Sequence, residues 1–140
     1  MDIRKITDEL SVAPQIHAAE VPAIAAAGFR AVICNRPDGE SSDQPCGSDI
    51  EAAVKANGLA WRCQPVPSGS VGLADAREFG ALLAELPKPV LAYCRSGTRC
   101  ATLWSLSEAG RRPLTDIVSR AGAAGYDVAA IMHRILGPGT

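Results

Sequence analysis

The sequence lacks several features that mark particular classes of protein. Its 140 residues contain no run of 18 or more apolar residues, so no segment is expected to span a membrane. The opening residues MDIRKITDEL lack the apolar stretch of a signal peptide, and we expect a cytoplasmic protein. The formal net charge of −1 gives no basic excess, so nucleic acid is not an expected partner.

Patterns for metal sites and disulfides are also missing. No CxxC pair occurs, and the two histidines, His17 and His133, are far apart in sequence. A structural zinc site is therefore not expected, and no metal or organic cofactor is predicted. The odd number of cysteines also argues against a disulfide framework in a reducing compartment. The five cysteines are Cys34, Cys46, Cys63, Cys94 and Cys100.

Length and composition suit a globular protein. Hydrophobic residues make up 47% and charged residues 21% of the chain, which is ordinary for a folded domain. No internal repeat or linker interrupts the sequence, and we predict one domain over residues 1–140.

Apolar runs of strand length alternate with segments of helical periodicity. The predicted strands are IRKITDELSVA (one strand or a hairpin of two), RAVICNR, LAWRCQPVP and PVLAYC. The predicted helices are HAAEVPAIAAAG, DIEAAVKANG, LADAREFGALLAEL, CATLWSLSEAG, PLTDIVSRAGAAG and DVAAIMHRIL, and the terminal GPGT is expected to be disordered. This alternation predicts an α/β fold of three layers, with a mostly parallel central sheet flanked by helices.

The stretch AYCRSGTRCATLW carries the strongest chemical signal. It places Cys94 at the carboxyl end of a buried strand, where open α/β sheets bind ligands. The small residues Ser96, Gly97 and Thr98 allow backbone N–H groups to curl around an anion, and the start of the next helix adds partial positive charge. Arg95 and Arg99 add two permanent positive charges. A cysteine surrounded by backbone N–H groups, a helix start and cations is typical of an activated thiolate.

Two known loops resemble this stretch. CRSGTR resembles the Cys-Arg-x-Gly-x-Arg/Thr loop of rhodanese-type sulfurtransferases, and it also resembles the Cys-x5-Arg phosphate loop of tyrosine and dual-specificity phosphatases. The segments AAGFRAVICNRPDGE, PVPSGSV and PVLAYCRSGTRCATLW together resemble the DUF442 family, the phosphatase-like domain of beta-lactamase-hydrolase-like proteins.

This family resemblance implies a dual-specificity-phosphatase-like fold, with the cysteine loop between a central strand and a helix. Members are labelled phosphatases and are also linked with sulfide detoxification. Some are fused to a persulfide-dioxygenase-type domain, so the resemblance implies a separate persulfide dioxygenase or another thiol acceptor protein as a partner here.

Three features favour sulfur transfer over phosphate chemistry. Arg99 lies five positions after Cys94, as in rhodanese, whereas phosphatases place the arginine six positions on. Tyr93 stands where such phosphatases usually have histidine. The segment QPVPSGSVGLAD has no aspartate before Asp75 to act as the general acid that phosphoester cleavage needs.

We therefore expect a sulfurtransferase in which Cys94 takes sulfane sulfur from thiosulfate or a small persulfide. Residues 95–99 would stabilise the resulting Cys94 persulfide. The leading alternative is a cysteine phosphatase working through a Cys94 phosphocysteine. A third is a non-enzymatic thiol or persulfide sensor with Cys100 as the resolving thiol. An unreactive anion-binding module is a fourth.

Candidate contacts at the rim of the site come from two other loops. NRPDGE places Arg36, Asp38 and Glu40 just past a buried strand, on the same sheet edge as Cys94. These residues are candidates for substrate contact or loop positioning, although Pro37–Gly39 also reads as a simple turn. Asp38 is a candidate substitute acid, and Ser68 is a candidate contact in the loop that follows LAWRCQPVP.

Overall fold

The structure is a computed structural model that describes residues 1–137. The terminal segment GPGT, expected to be disordered, therefore lies outside the described residues except for Gly137.

Each predicted strand and helix contains a regular element. The strands are β1 (Arg4–Lys5), β2 (Leu10–Ala13), β3 (Ala31–Cys34), β4 (Ala60–Cys63) and β5 (Val90–Tyr93). The helices are α1 (Val21–Ala26), α2 (Gly47–Ala56), α3 (Leu73–Glu85), α4 (Thr98–Glu108), α5 (Leu114–Ala123) and α6 (Ala129–Leu136), and a 3-10 turn at Ala18–Glu20 precedes α1.

The five strands form one sheet in the order β1-β2-β5-β3-β4. β1 pairs with β2 antiparallel as a hairpin, and the other neighbours are parallel. The predicted mostly parallel α/β sheet is confirmed. β5 lies at its centre, where Tyr93 pairs with Ala13 on one side and Cys34 on the other.

Alternate residues of the buried strands face two separate apolar layers, as the twofold period of a strand requires. Ile33 and Ala92 pack with side chains of α3, α4, α5 and α6. Val32, Leu91 and Tyr93 pack instead with side chains of α1 and α2. The sheet is therefore covered on both faces, and the cysteine loop leaves its middle strand.

Within residues 1–137, no helix is both long enough and apolar enough to cross a membrane.

Candidate active site

The cysteine loop joins the central strand to helix α4. Cys94 follows β5 directly, and it faces the α3–α6 layer, opposite to its neighbour Tyr93. Gly97 immediately precedes α4 and has a φ of 93°, a left-handed conformation that glycine adopts without steric cost. This turn brings the chain back so that the Gly97 N–H donates to Cys94 Sγ at 3.1 Å.

The surroundings of Cys94 favour its ionised form. A hydrogen bond from the Cys100 thiol contributes most, and the N–H groups of Cys100 and Gly97 and the charge of Arg99 add to it. Burial of Cys94 opposes them, because it disfavours charge. Together they lower the pKa of Cys94 to about 5, so the group is a thiolate at neutral pH. The activated thiolate expected from the loop is thus supported by specific donors.

Arg99 is held by a carboxylate from a distant loop. Its Nη1 donates to Glu40 Oε2 at 2.7 Å and its Nη2 to Glu40 Oε1 at 2.9 Å. Nη1 also donates to the Val66 carbonyl oxygen at 3.0 Å. This forked pairing fixes the plane of the guanidinium.

One edge of the Arg99 guanidinium is left for an anion. Across residues 1–137, Nε donates to no acceptor, and Nη2 donates only to Glu40. Because guanidinium has five N–H donors in a plane, Nε and the second Nη2 hydrogen form a fork suited to two oxygens of one phosphoryl group.

Arg36 is a buried cation that pairs with the carboxylate holding Arg99. It is 4% exposed, and its Nε donates to Glu40 Oε1 at 3.0 Å. Its other two nitrogens donate to Gln15 Oε1 at 3.0 Å and Ser41 Oγ at 3.3 Å. Arg36 therefore orients Glu40, which in turn orients Arg99, and of the two roles considered for Arg36 these contacts favour loop positioning.

A pocket of about 180 Å³ opens over the loop. Three segments contribute to its walls: the loop before α3, the cysteine loop with the start of α4, and α6. The lining residues are Ser68, Gly69, Val71, Arg95, Ser96, Thr98, Arg99, Thr102 and Ile131. Four hydroxyl groups, Ser68 among them, and two arginines thus face one small space that also has an apolar wall.

The Arg95 side chain has no hydrogen bond or ion pair to any of residues 1–137 and is exposed, although its backbone carbonyl accepts the Gln15 N–H at 3.2 Å. It also borders a second cleft of about 200 Å³, together with His17, Arg36 and Asp43. Arg95 is therefore a free cation between two openings.

The two aspartates considered as acids, Asp38 and Asp75, both accept backbone N–H groups at helix starts, and the other nearby carboxyls, Asp43 and Glu40, stay ionised. Asp38 Oδ1 accepts the N–H of Gly47 at 2.8 Å, at the first residue of α2. Asp75 Oδ2 accepts the N–H of Gly72 at 3.0 Å, at the start of α3. A hydrogen bond from Ser41 holds the pKa of Asp43 below its usual range, and Arg99 does the same for Glu40.

Cys100 lies beside Cys94 in the first turn of α4. It is completely buried, and this burial raises the pKa of its thiol well above the usual range. The neighbouring Cys94 thiolate raises the pKa of Cys100 further. The thiol therefore keeps its proton and donates it toward Cys94. Cys100 thus lies close to Cys94, as the resolving thiol of the sensor alternative would need to.

Several residues around the site were not singled out from the sequence. Gln15, Val71 and Ile131 had no chemical signature, and the Val66 contact uses only a backbone oxygen. Tyr126 donates from its hydroxyl to the Ser96 carbonyl oxygen at 3.0 Å. Tyr126 is one of two tyrosines in the chain, so its rarity was the only available signal.

This geometry can be compared with known proteins. The family model of the beta-lactamase hydrolase-like protein, phosphatase-like domain, matches residues 2–111. The chain belongs to this family.

Named relatives agree with that assignment. A beta-lactamase hydrolase-like protein of Agrobacterium fabrum is 37% identical over 128 residues, which are 90% of this chain and 30% of the relative. A crystal structure from Neisseria meningitidis, assigned as a phosphatase candidate, is 36% identical, with a TM-score of 0.87 and 96% coverage of both chains. Tk-PTP in its active form shares the fold at 17% identity, with a TM-score of 0.76 and coverage of 96% and 93%.

The expectation of sulfur transfer is wrong. The phosphatase-like family model and the 36% identical structure support the phosphatase alternative instead. The spacing of Arg99 from Cys94 was misleading, because the position of a guanidinium depends on the backbone path and on the partners of the side chain. Here α4 begins one residue after Gly97, and Glu40 fixes Arg99 within the first turn.

Proposed function

We propose that this chain is a cysteine-dependent phosphatase that hydrolyses phosphomonoesters through a Cys94 phosphocysteine. The observation that carries the proposal is the pairing of a low-pKa thiolate with an oriented guanidinium on the same loop. The phosphatase-like family and the 36% identical phosphatase candidate support it.

In the first step Cys94 Sγ attacks phosphorus, an S–P bond forms, and the P–O bond to the leaving group breaks with its electron pair on oxygen. Charge on the phosphoryl oxygens is stabilised by the free edge of Arg99 and by N–H groups at the start of α4. In the second step water attacks phosphorus, the S–P bond breaks, and the thiolate and inorganic phosphate are released with a proton passing to solvent.

The described pocket offers no strong acid to protonate the leaving oxygen. Its walls offer hydroxyl groups of Ser68, Ser96, Thr98 and Thr102, which are weak acids. The nearby carboxyls of Glu40 and Asp43 have lowered pKa values and hold no proton at neutral pH. We therefore expect substrates whose leaving oxygen is already a stable anion, such as a phenol, to react fastest.

The test follows phosphate release from p-nitrophenyl phosphate by the wild-type chain and by Cys94→Ser, with Cys46→Ser as the matched control at an exposed cysteine. Cys94→Ser is expected to lower kcat/KM by a factor on the order of ten thousand or more, since it removes the nucleophile. Cys46→Ser should match the wild type.

Acid quenching during turnover, followed by peptide mass spectrometry, should detect one phosphoryl group on the Cys94 peptide. Phosphate release that is equal in Cys94→Ser and wild type, or absent from both, would overturn the proposal.

A further inference from the structure

We propose that Tyr126 is a positioning residue for the Cys94 thiolate, acting through the peptide group that joins Ser96 to Gly97. The inference deepens the proposed function, since that thiolate is the nucleophile there. Tyr126 lies between α5 and α6, beyond residues 2–111 that the family model matches.

The two ends of one peptide group make the relevant contacts. The Tyr126 hydroxyl donates to the Ser96 carbonyl oxygen at 3.0 Å, and the Gly97 N–H donates to Cys94 Sγ at 3.1 Å. In a planar trans peptide the C=O and N–H bonds point in opposite directions. Holding the oxygen on the Tyr126 side therefore aims the N–H at the sulfur.

This peptide group needs an external restraint. Glycine populates positive and negative φ with similar ease, so Gly97 by itself does not hold the plane in one orientation. Rotation of the plane would replace the N–H facing Cys94 with the negative end of the carbonyl dipole. That change would destabilise the thiolate relative to the thiol.

The fit between the hydroxyl and the loop is close. A Cβ atom at position 97 would collide with the Tyr126 hydroxyl, so the contact exists only because residue 97 is glycine. Tyr126 is 6% exposed, and burial raises the pKa of its phenol, so the hydroxyl keeps the proton that it donates.

Tyr126 is itself held by the first strand. The Arg4 guanidinium carbon lies 5.4 Å from the centre of the Tyr126 ring, and Arg4 Nη1 donates to the Ala124 carbonyl oxygen at 3.1 Å. Gly125 leaves room for this guanidinium, because a Cβ there would collide with Arg4 Nη1. Arg4 thus fixes the turn from which Tyr126 reaches the loop.

The test measures the pH dependence of Cys94 alkylation by iodoacetamide, read by peptide mass spectrometry. Tyr126→Phe should raise the midpoint by about one pH unit, because one hydrogen bond to the charged form is no longer fixed. The acid limb of kcat/KM should move by the same amount. A merely structural role would lower the melting temperature and leave the midpoint in place.

Tyr93→Phe is the matched control. It deletes the hydroxyl of the only other tyrosine, which lies next to Cys94 in sequence but on the opposite face of the sheet. Its Cys94 midpoint should stay at the wild-type value. A folded Tyr126→Phe with an unchanged midpoint, or equal shifts in both variants, would overturn the inference.

If Tyr126→Phe does not fold, Arg4→Met and Lys5→Met decide the question. Both remove one positive charge from β1, but only Arg4 contacts the Tyr126 ring. A larger upward midpoint shift in Arg4→Met supports the inference, and equal shifts refute it. Alkylation requires no phosphate substrate, so these outcomes stand apart from success or failure of the phosphatase proposal.

Discussion

Two pairs of cysteines lie where parallel strands end, and the pKa of Cys94 in one pair is shifted opposite to that of Cys63 in the other. Cys94 follows β5 and contacts Cys100 in α4, whereas Cys34 and Cys63 face each other across β3 and β4. The pKa of Cys94 is lowered to about 5, and that of Cys63 is raised to about 11.

Burial does not explain the lowered pKa of Cys94. Cys94 is fully buried, whereas Cys63 is an exposed residue whose sulfur is only partly shielded, so desolvation alone would make Cys94 the weaker acid. Burial of the Cys63 sulfur is the largest cause of its raised pKa, and the Cys34 thiol, Asp38 and Glu51 raise it further. Cys94 instead receives hydrogen bonds from a thiol and two backbone N–H groups, with Arg99 nearby. Aligned donors, more than exposure, therefore set which of the two thiols has the lower pKa.

The largest predicted effect compares the two thiols directly. Alkylation of the wild-type chain across a pH series should give a midpoint near 5 at Cys94 and near 11 at Cys63. At neutral pH the thiolate is then the main form of Cys94, but about one molecule in ten thousand carries it at Cys63. Peptide mass spectrometry resolves the two sites, and equal midpoints would remove the contrast between the pairs.

The second prediction concerns Arg99, the guanidinium beside the Cys94 thiolate. Arg99→Lys keeps a positive charge but loses the planar fork, so kcat/KM should fall by about 10²–10³-fold. Arg62→Lys is the control, because Arg62 pairs with Glu85 on the surface, far along the chain from the loop. Steady-state hydrolysis of p-nitrophenyl phosphate measures both, and a similar loss in the two variants would contradict the role of Arg99.

The smallest effect on rate is expected at the carboxylate that holds the arginines. Glu40→Gln leaves two buried guanidiniums, Arg36 and Arg99, without a charged partner. The free energy of unfolding should fall by about 2 kcal/mol, as expected for a lost charge-assisted contact, and kcat/KM by roughly tenfold. Urea unfolding and steady-state kinetics measure the two.

Glu85→Gln is the matched control, since it breaks only the exposed pair with Arg62 and should cost less than about 0.5 kcal/mol. The pH dependence gives a further check. Because the folded-state pKa of Glu40 is lowered, its contribution to stability is present above the unfolded carboxyl pKa and is lost as pH falls through the folded value. The stability difference between Glu40→Gln and wild type should therefore shrink in acid, and a difference that is constant with pH would argue against the ion pair.

Local sequence was enough to predict the fold and the position of the candidate nucleophile. The run PVLAYC indicated a buried strand, and the following CRSGTR indicated a turn into a helix, which placed Cys94 where the structure has it. Both inferences depend on neighbours a few residues apart, where periodicity and turn chemistry act. The family followed from such short segments too.

The chemistry of the site depends on contacts that no short segment contains. Arg99 and Glu40 are 59 positions apart, and Tyr126 and Ser96 are 30 positions apart. The five-residue spacing from Cys94 to Arg99 and the lack of an aspartate before Asp75 favoured sulfur transfer. Both features describe positions along the chain and not positions in the folded structure. Sequence by itself determined the order of strands and helices and the position of the cysteine, since these follow from local preferences. Only the tertiary structure decided which side chains orient Arg99 and which peptide faces the sulfur, because folding brings distant segments to one edge of the sheet.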